Sequence, residues 1–231
     1  MSITITWLGH SAVAIDLDGH PILIDPFLSG NPLAAATPED VQAELILLSH
    51  GHGDHLGDTV AIAKRTGAGV ITNFEIANWL EAQGVQTTHG QNTGGTGDYG
   101  FMTVKLTMAF HSSSLPDGTY GGQPYGLIIT AKESGKRLYF AGDTALFSDM
   151  QLIGEHNIDV AFLPIGDYFT MGIDDSIRAI RYVRPRFVLP IHYNTFPPIA
   201  QNAGHWANRV SSETDAQPIV LDPGGSYTLQ D

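Results

Sequence analysis

The sequence predicts an α/β fold in which two mixed sheets pack face to face with helices on the outside. Three observations predict it. Each half of the chain opens with short strands and continues as strands interleaved with helices. Buried strands in both halves are followed directly by side chains that can bind a metal ion. At 231 residues, 42% of them hydrophobic, the chain is long enough to bury a sizeable core, and we expect one domain over 1–231.

The first half is predicted to consist mainly of short strands. Two of them are joined by a turn at 18–20, and a continuous apolar run at 44–49 predicts a buried strand. Alternation at 101–110 predicts a half-exposed strand, and the glycine-rich segment 90–100 before it predicts a long turn or, alternatively, a mobile flap. The strands predicted in this half are 3–7, 12–16, 21–25, 44–49, 70–72 and 101–110.

Two helices are predicted between these strands. The segment 58–65 begins with Asp58 as the expected N-cap. The segment 74–83 places Ile76, Trp79 and Leu80 at the spacing of a core-facing helix.

The second half repeats this alternation. Helices are predicted at 146–154 and at 174–183, the latter capped by Asp174 or Asp175. The predicted strands are 126–131, 137–141, 159–163, 187–190 and 218–221.

Composition excludes several classes of protein. The chain contains no cysteine, so a metal ion would need nitrogen and oxygen ligands, and a disulfide scaffold is excluded. The net charge of −13 argues against a long nucleic-acid interface. The N-terminal sequence lacks the features of a signal peptide, and no apolar run is long enough to cross a membrane. We expect a cytoplasmic protein with a small-molecule substrate and no membrane partner, and homo-oligomer assembly is left open.

The most informative stretch is the motif at 50–55. His50, His52, Asp54 and His55 each carry a metal-binding group, and glycines separate the first three. The motif directly follows the buried strand predicted at 44–49. Imidazole and carboxylate groups in such a place are costly to desolvate without a partner, and a divalent cation suits all four.

Three further ligand-type residues follow predicted buried strands, and they are His111, Asp143 and His192. Functional groups collect at strand ends because the scaffold fixes them and the loops admit substrate. A single histidine after a strand is usually structural. Four strand ends of this kind indicate one common metal site.

The pattern His-x-His-x-Asp-His, followed by a distant His, Asp and His, resembles the metallo-β-lactamase superfamily. Within it, the chain is similar to a family of metal-dependent hydrolases related to the ascorbate-6-phosphate lactonase branch. This resemblance implies a four-layer αββα sandwich with the metal ions at one edge between the sheets. The segments that carry the resemblance are 7–12, 49–58, 110–114, 141–144, 163–167 and 191–197.

The resemblance also implies two metal ions per chain. The implied ligands are His50, His52 and His111 for one ion, Asp54, His55 and His192 for the second, and Asp143 as the bridge between them. The glycines of the motif are then expected to let the backbone turn tightly enough for its side chains to face two ions. Zinc is expected, with manganese or iron as alternatives. Two divalent ions, two carboxylates and a hydroxide leave a net charge of about +1, which would attract an anionic substrate.

Four other polar residues are candidates for supporting roles. Asp25 ends a buried run and is expected to accept a hydrogen bond from a metal-bound imidazole, with a simple turn residue as the alternative. His10 either lines the site or is structural. Asp167 and Asn194 follow strands at the same edge and either contact substrate or pack within their loops.

The ligand pattern predicts a dinuclear-metal hydrolase in which a metal-bridging hydroxide attacks an ester, lactone or phosphodiester. Asp54 is expected to act as a ligand, as a general base that holds the hydroxide and accepts a proton, or as both. Two alternatives are kept. One is a metallo-nuclease of the same superfamily, which the acidic balance disfavours, and the other is a non-enzymatic metal-binding module.

Overall fold

The computed structural model describes residues 2–229, which form two compact units. The first unit contains 2–93, 112–124 and 221–229, and the second contains 94–111 and 125–220. Each unit is built on one seven-stranded sheet. The predicted domain boundaries, Met1 and Asp231, lie outside the described residues, and the assignment of one domain stays a prediction.

The secondary structure comprises short strands and six α-helices within the described residues. The strands are β1 (Ile3–Gly9), β2 (Ala12–Leu17), β3 (His20–Ile24), β4 (Leu45–Leu47), β5 (Gly69–Asn73), β6 (Thr88–Gln91), β7 (Thr96–Asp98), β8 (Met102–Met108), β9 (Tyr125–Ala131), β10 (Arg137–Phe140), β11 (Val160–Pro164), β12 (Phe187–Ile191), β13 (Gln217–Pro218) and β14 (Ser226–Leu229). The helices are α1 (Gly53–Leu56), α2 (Thr59–Thr66), α3 (Phe74–Ala82), α4 (Met150–Gly154), α5 (Ile173–Val183) and α6 (Ala203–Glu213), with a 3-10 turn at Pro197–Ile199. None of these helices is long and apolar enough to cross a membrane.

The sheet of the first unit is mixed, with the order β14-β1-β2-β3-β4-β5-β6. Pairing is antiparallel from β14 to β3 and parallel from β3 to β6. The parallel part packs against α2 and α3, where Ile46 and Val70 of the sheet meet Ile62, Ile76 and Leu80 of the helices. Because β3, β4 and β5 run in the same direction, the residues that follow them meet at one edge of the sheet.

The second unit has the same kind of sheet, in the order β13-β12-β11-β10-β9-β8-β7. Pairing is antiparallel from β7 to β10 and parallel from β10 to β13. The helix α5 buries Ile177, Ile180 and Val183, as predicted. The fully buried Trp206 of α6 donates its indole N–H to the Ser176 hydroxyl at 3.0 Å. The ends of β10, β11 and β12 again share one edge.

Two capping predictions need correction. Asp58 precedes α2 as predicted, but its carboxylate accepts the N–H groups of Leu28 at 3.0 Å and Ser29 at 2.7 Å instead of capping the helix. It therefore ties the loop after β3 to the start of α2. The helix α5 begins after Gly172, so Asp174 and Asp175 lie in its first turn, where their charge favours the positive end of the helix.

Several other elements differ from the prediction. The helix predicted at 146–154 starts only at Met150. The strand predicted at 218–221 is reduced to β13, which overlaps the predicted range only at Pro218. The segment 90–100 is not one long turn, since β6 and β7 occupy its ends. Trp79 is only half-buried, because its indole N–H donates to the Asp117 carboxylate at 2.7 Å. The elements α1, α6 and β14 were not predicted.

Candidate metal centre

In the first unit, the end of the parallel sheet carries three buried polar residues. Asp25 follows β3, and Ser49 and His50 follow β4. The Asp25 N–H donates to the Leu47 carbonyl at 3.0 Å, which fixes the residue after β3 against the neighbouring strand. Asp25 and His50 are 0% exposed and Ser49 is 1% exposed. Groups as polar as these are retained at such depth only with hydrogen-bond or metal partners.

The Asp25 carboxylate is surrounded by hydrogen-bond donors. One oxygen accepts the Ser49 N–H at 2.8 Å, and the other accepts the Ser49 hydroxyl at 2.6 Å. The second oxygen also lies 2.8 Å from Nδ1 of the fully buried His55. An ionised carboxylate only accepts, so His55 donates from Nδ1 and presents the lone pair of Nε2.

The imidazoles of His50 and His52 point at one another. Nε2 of His50 lies 3.0 Å from Nδ1 of His52, while Nδ1 of His50 lies 3.0 Å from the Ser49 hydroxyl. The other nitrogen of His52 is 3.4 Å from the Ser112 hydroxyl. Two imidazoles bound to one tetrahedral ion at about 2.0–2.1 Å hold their nitrogens roughly 3.3 Å apart. The observed separation therefore fits a pair of ligands on one cation.

Asp54 and His55 lie on the short helix α1 next to His10. Nε2 of His10 is 3.3 Å from an Asp54 carboxylate oxygen. His10, Asp54 and His55 each offer one ligand atom within 4.8 Å of the others. His10 is fully buried, with its ring against the edge of Phe27 at a centroid distance of 5.7 Å, whereas the Asp54 side chain is 32% exposed. His10 thus contacts a predicted ligand directly.

In the second unit, the three predicted ligands meet around one carboxylate. The same oxygen of Asp143 lies 3.0 Å from Nε2 of His192 and 3.5 Å from Nε2 of His111. Asp143 follows β10 and His192 follows β12, and their side chains are 3% and 2% exposed. Asp143, the predicted bridging ligand, therefore lies against both histidines that were predicted with it.

Backbone strain is concentrated at the strand ends that carry these residues. The left-handed region costs a residue with a Cβ roughly 1–2 kcal/mol, so such conformations persist only where the surroundings impose them. The residues with positive φ include His10 (+56°), Asp25 (+44°), Asp167 (+60°), Tyr168 (+56°), His192 (+54°) and Asn194 (+60°). All four residues predicted from sequence to support the site are in this set.

The two predicted substrate-contacting residues have local hydrogen bonds. The side-chain oxygen of Asn194 accepts the Gln201 N–H at 2.8 Å, which favours a loop-packing role. A carboxylate oxygen of Asp167 accepts the N–H of Tyr168, whose side chain is 74% exposed. The loop after β11 therefore presents an aromatic side chain to solvent.

Comparison with known proteins assigns the family. The model of the β-lactamase superfamily domain matches residues 20–193. A UPF0173 metal-dependent hydrolase of Bacillus thuringiensis is 51% identical over 231 residues, covering 97% of this chain and 99% of that protein. The chain belongs to the UPF0173 metal-dependent hydrolases of the β-lactamase superfamily.

Other relatives of this UPF0173 hydrolase agree. A UPF0173 metal-dependent hydrolase of Thermus thermophilus is 50% identical over 222 residues, covering 96% of this chain and 97% of that one. Igni18, a metallo hydrolase from the archaeon Ignicoccus hospitalis, superposes with a TM-score of 0.92 at 38% identity and full coverage of both chains. The predicted fold class and the prediction of a metal-dependent hydrolase are confirmed. The relation to the ascorbate-6-phosphate lactonase branch stays a prediction.

Two serines of the UPF0173 hydrolase were not among the predicted site residues. Ser49 contacts both Asp25 and His50. The Ser113 hydroxyl accepts the Gly51 N–H at 3.1 Å and donates to the Gly121 carbonyl at 3.0 Å. Serine is common in loops, so only its contacts distinguish these two from others. The one signal in the sequence is that Ser49 lies between the buried strand and the first histidine of the motif.

The expected role of the motif's glycines in turning the backbone stays a prediction, and a Cβ at Gly51 would lie 3.2 Å from the Ser114 carbonyl oxygen. Neither Gly51 nor Gly53 has a positive φ. A Cβ at Gly53 would meet no heavy atom of the described residues within 4 Å. The glycine that the site does require is Gly166, since a Cβ there would overlap the backbone carbonyl oxygen of His192. Close approach of the loop after β11 to His192 therefore needs glycine at 166.

We expect Gly166→Ala to weaken metal binding by the UPF0173 hydrolase and Gly53→Ala to leave it unchanged. The overlap at 166 must displace His192, and overpacking of this kind costs about 1–3 kcal/mol. Gly53 lies between two predicted ligands and is the matched control. Zinc affinity measured by competition with a chromophoric chelator separates the two variants. Equal affinities in both would contradict the role given to Gly166.

Proposed function

We propose that the seven predicted ligands bind two divalent metal ions and make the protein a dinuclear hydrolase. The observation that carries the proposal is the Asp143 carboxylate oxygen between the His111 and His192 imidazoles. The convergence of His50 and His52 in the first unit supports it independently. The donor set contains only imidazole nitrogens and carboxylate oxygens, which suits zinc, manganese or iron. We favour zinc.

When bound, the two ions would supply a nucleophile derived from water at neutral pH and would polarise the oxygen of the scissile group. The residues of the chain then have separate tasks. Asp25 holds His55 in the tautomer that presents the Nε2 lone pair as the ligand. Asp54, oriented by His10 at 3.3 Å, holds the attacking water and accepts its proton. The partial exposure of Asp54 leaves its carboxylate accessible to substrate.

The substrate we propose is a small anionic ester, lactone or phosphodiester. Support comes from charge, because two divalent ions exceed the charge of two carboxylates and a hydroxide, leaving about +1 at the centre of an otherwise acidic protein. The metal centre would then attract an anionic substrate, while the net negative charge of the rest of the protein would repel it. The cytoplasmic location and assembly as a homo-oligomer stay predictions.

Removing metal should destabilise the protein strongly. A ligand that binds only the folded state at 1,000 times its dissociation constant adds about 4 kcal/mol of stability. For a chain of this size, that amount corresponds to a shift of roughly 8–16 °C in Tm. Dialysis against a chelator should lower the Tm by this amount, and two equivalents of zinc should restore it. An unchanged Tm, with fewer than one ion per chain, would contradict the binding of two metal ions.

The catalytic part of the proposal is tested with His52→Ala. Loss of one ligand of the converging pair should abolish hydrolysis across a panel of lactones, carboxylic esters and phosphodiesters. His20→Ala is the matched control, because the His20 side chain is 39% exposed and its Nδ1 lies 2.9 Å from a carboxylate oxygen of Glu44, which is not a predicted ligand. Hydrolysis by wild type and the control, but not by His52→Ala, is the expected result. Undiminished turnover in His52→Ala would overturn the proposal.

A further inference from the structure

The Ser49 hydroxyl lies between a buried carboxylate and a predicted metal ligand. Its oxygen is 2.6 Å from Asp25 Oδ2 and 3.0 Å from His50 Nδ1. Ser49 is 1% exposed, and Asp25 and His50 are fully buried. The three groups therefore form a chain of contacts that ends at the imidazole.

The positions of the protons in this chain follow from what each group can donate. A hydroxyl has one proton, and an ionised carboxylate has none. The contact between Ser49 and Asp25 therefore uses the serine proton. The Ser49 oxygen can then only accept from His50, so Nδ1 of His50 carries the proton and Nε2 presents its lone pair. Nε2 is the atom that faces His52.

We propose that Ser49 is a positioning residue that transmits the charge of Asp25 to His50. One buried carboxylate then sets the tautomer of two imidazoles, His55 by direct contact and His50 through the serine hydroxyl. Both rings present Nε2 as the ligand atom. The inference concerns proton positions in the protein itself and rests on the proposed function only for the consequence that these nitrogens bind metal.

The Ser49 hydroxyl is not needed to hold the backbone. The Ser49 N–H already donates to the other Asp25 oxygen at 2.8 Å, so this tie between the two strand ends survives loss of the hydroxyl. Ser113, by contrast, makes the contacts of a serine that supports the backbone. Its hydroxyl, on a 7% exposed residue, bridges the backbone groups of Gly51 and Gly121. Substitution of the two serines therefore separates a role in ring orientation from a role in loop packing.

The test is ¹⁵N NMR of the histidine rings in the metal-free protein at about pH 8.5, where an ordinary imidazole is neutral. In wild type, His50 and His55 should both show a protonated Nδ1. In Ser49→Ala, His50 should lose this single tautomer while His55 keeps it. Ser49→Thr, which retains a hydroxyl, should restore the wild-type pattern, and Ser113→Ala should leave both rings unchanged. Circular dichroism of each variant checks that it folds.

Zinc affinity gives the functional readout. Loss of a hydrogen bond that orients a ligand typically weakens metal binding by about 10- to 100-fold, and we expect this loss in Ser49→Ala but not in Ser49→Thr or Ser113→Ala. A His50 ring that keeps Nδ1 protonated in Ser49→Ala would overturn the inference, whatever the protein hydrolyses. If the His50 tautomer changes in Ser49→Ala but even the wild-type protein binds no zinc, the proposed function is wrong and the positioning role of Ser49 still holds.

Discussion

Asn in place of Asp25 should lower zinc affinity by about 10- to 100-fold in a protein that still folds. The wild-type carboxylate accepts the N–H and the hydroxyl of Ser49 and contacts Nδ1 of His55. An amide keeps one acceptor, which can still receive the Ser49 N–H. Its NH₂ group would then face two donors, the serine hydroxyl and the His55 ring. His55 would have to change tautomer or rotate, and its Nε2 lone pair would be lost to the metal.

The substitution should also cost stability in the metal-free state. Each hydrogen bond lost at a buried charged acceptor is worth about 1.5–3 kcal/mol. At roughly 2–4 °C per kcal/mol for a chain of this size, loss of one such bond lowers the Tm by about 3–12 °C. Asparagine tolerates the positive φ of Asp25 about as well as aspartate, so backbone strain does not confuse the comparison.

Asp58→Asn is the matched control for Asp25→Asn. The Asp58 carboxylate also accepts two hydrogen bonds in the loop after β3, from the N–H groups of Leu28 and Ser29. Both bonds go to one oxygen, which an amide oxygen can replace, and neither donor belongs to a predicted ligand, so Asp58→Asn should keep its zinc affinity and lose little stability. Competition with a chromophoric chelator and thermal unfolding report the two quantities separately. Equal zinc affinities for the two variants would show that Asp25 supports the loop rather than the imidazoles.

The central strands of both sheets could be predicted from sequence, while the edge strands could not. The strands β4, β11 and β12 are buried along their whole length, and their sequences are continuous apolar runs. The strand β14 is short and largely polar, and its place depends on its partner. Its Ser226 and Thr228 hydroxyls lie 2.8 Å and 3.1 Å from those of Thr6 and Thr4 on β1. No local pattern encodes a partner more than 200 residues away.

The helix α6 was missed for a related reason. Only Trp206 and Val210 of this helix are buried, so its apolar face consists of two residues one turn apart. Its start is fixed by the Asn202 side chain, which accepts the His205 N–H at 2.9 Å. A single asparagine and two apolar residues are too weak a pattern to outweigh the glycine and the serines of this segment.

At the candidate site, residue chemistry was predictable and conformation was not. Histidines and aspartates that follow buried apolar runs can be predicted as site residues. Burial removes their contact with water, so these polar groups need another partner. The positive φ of His10 and His192 is not indicated by any local pattern in the sequence. The role of Ser49 could not be predicted either, because it depends on contact with a carboxylate 24 positions earlier in the chain.

Asp143→Asn should lower kcat/KM by more than about a thousandfold, which corresponds to about 4 kcal/mol of transition-state stabilisation. The substitution keeps the shape of the side chain but removes the charge that lies 3.0 Å from His192 and 3.5 Å from His111. If this carboxylate bridges two ions, as we propose, the neutral amide must weaken both at once. Bound zinc should fall from two equivalents to one or none.

Asp159→Asn is the control, because it removes a carboxylate from the same unit, at the start of β11 rather than at the end of a strand. Asp159 is partly exposed, accepts the Arg137 N–H at 2.9 Å and pairs with Lys136 at 3.5 Å. Turnover and zinc content of this variant should match wild type. An Asp143→Asn protein that retains two zinc equivalents and near-normal turnover would contradict a bridging carboxylate. One that retains both ions but not turnover would assign Asp143 to the reaction rather than to metal binding.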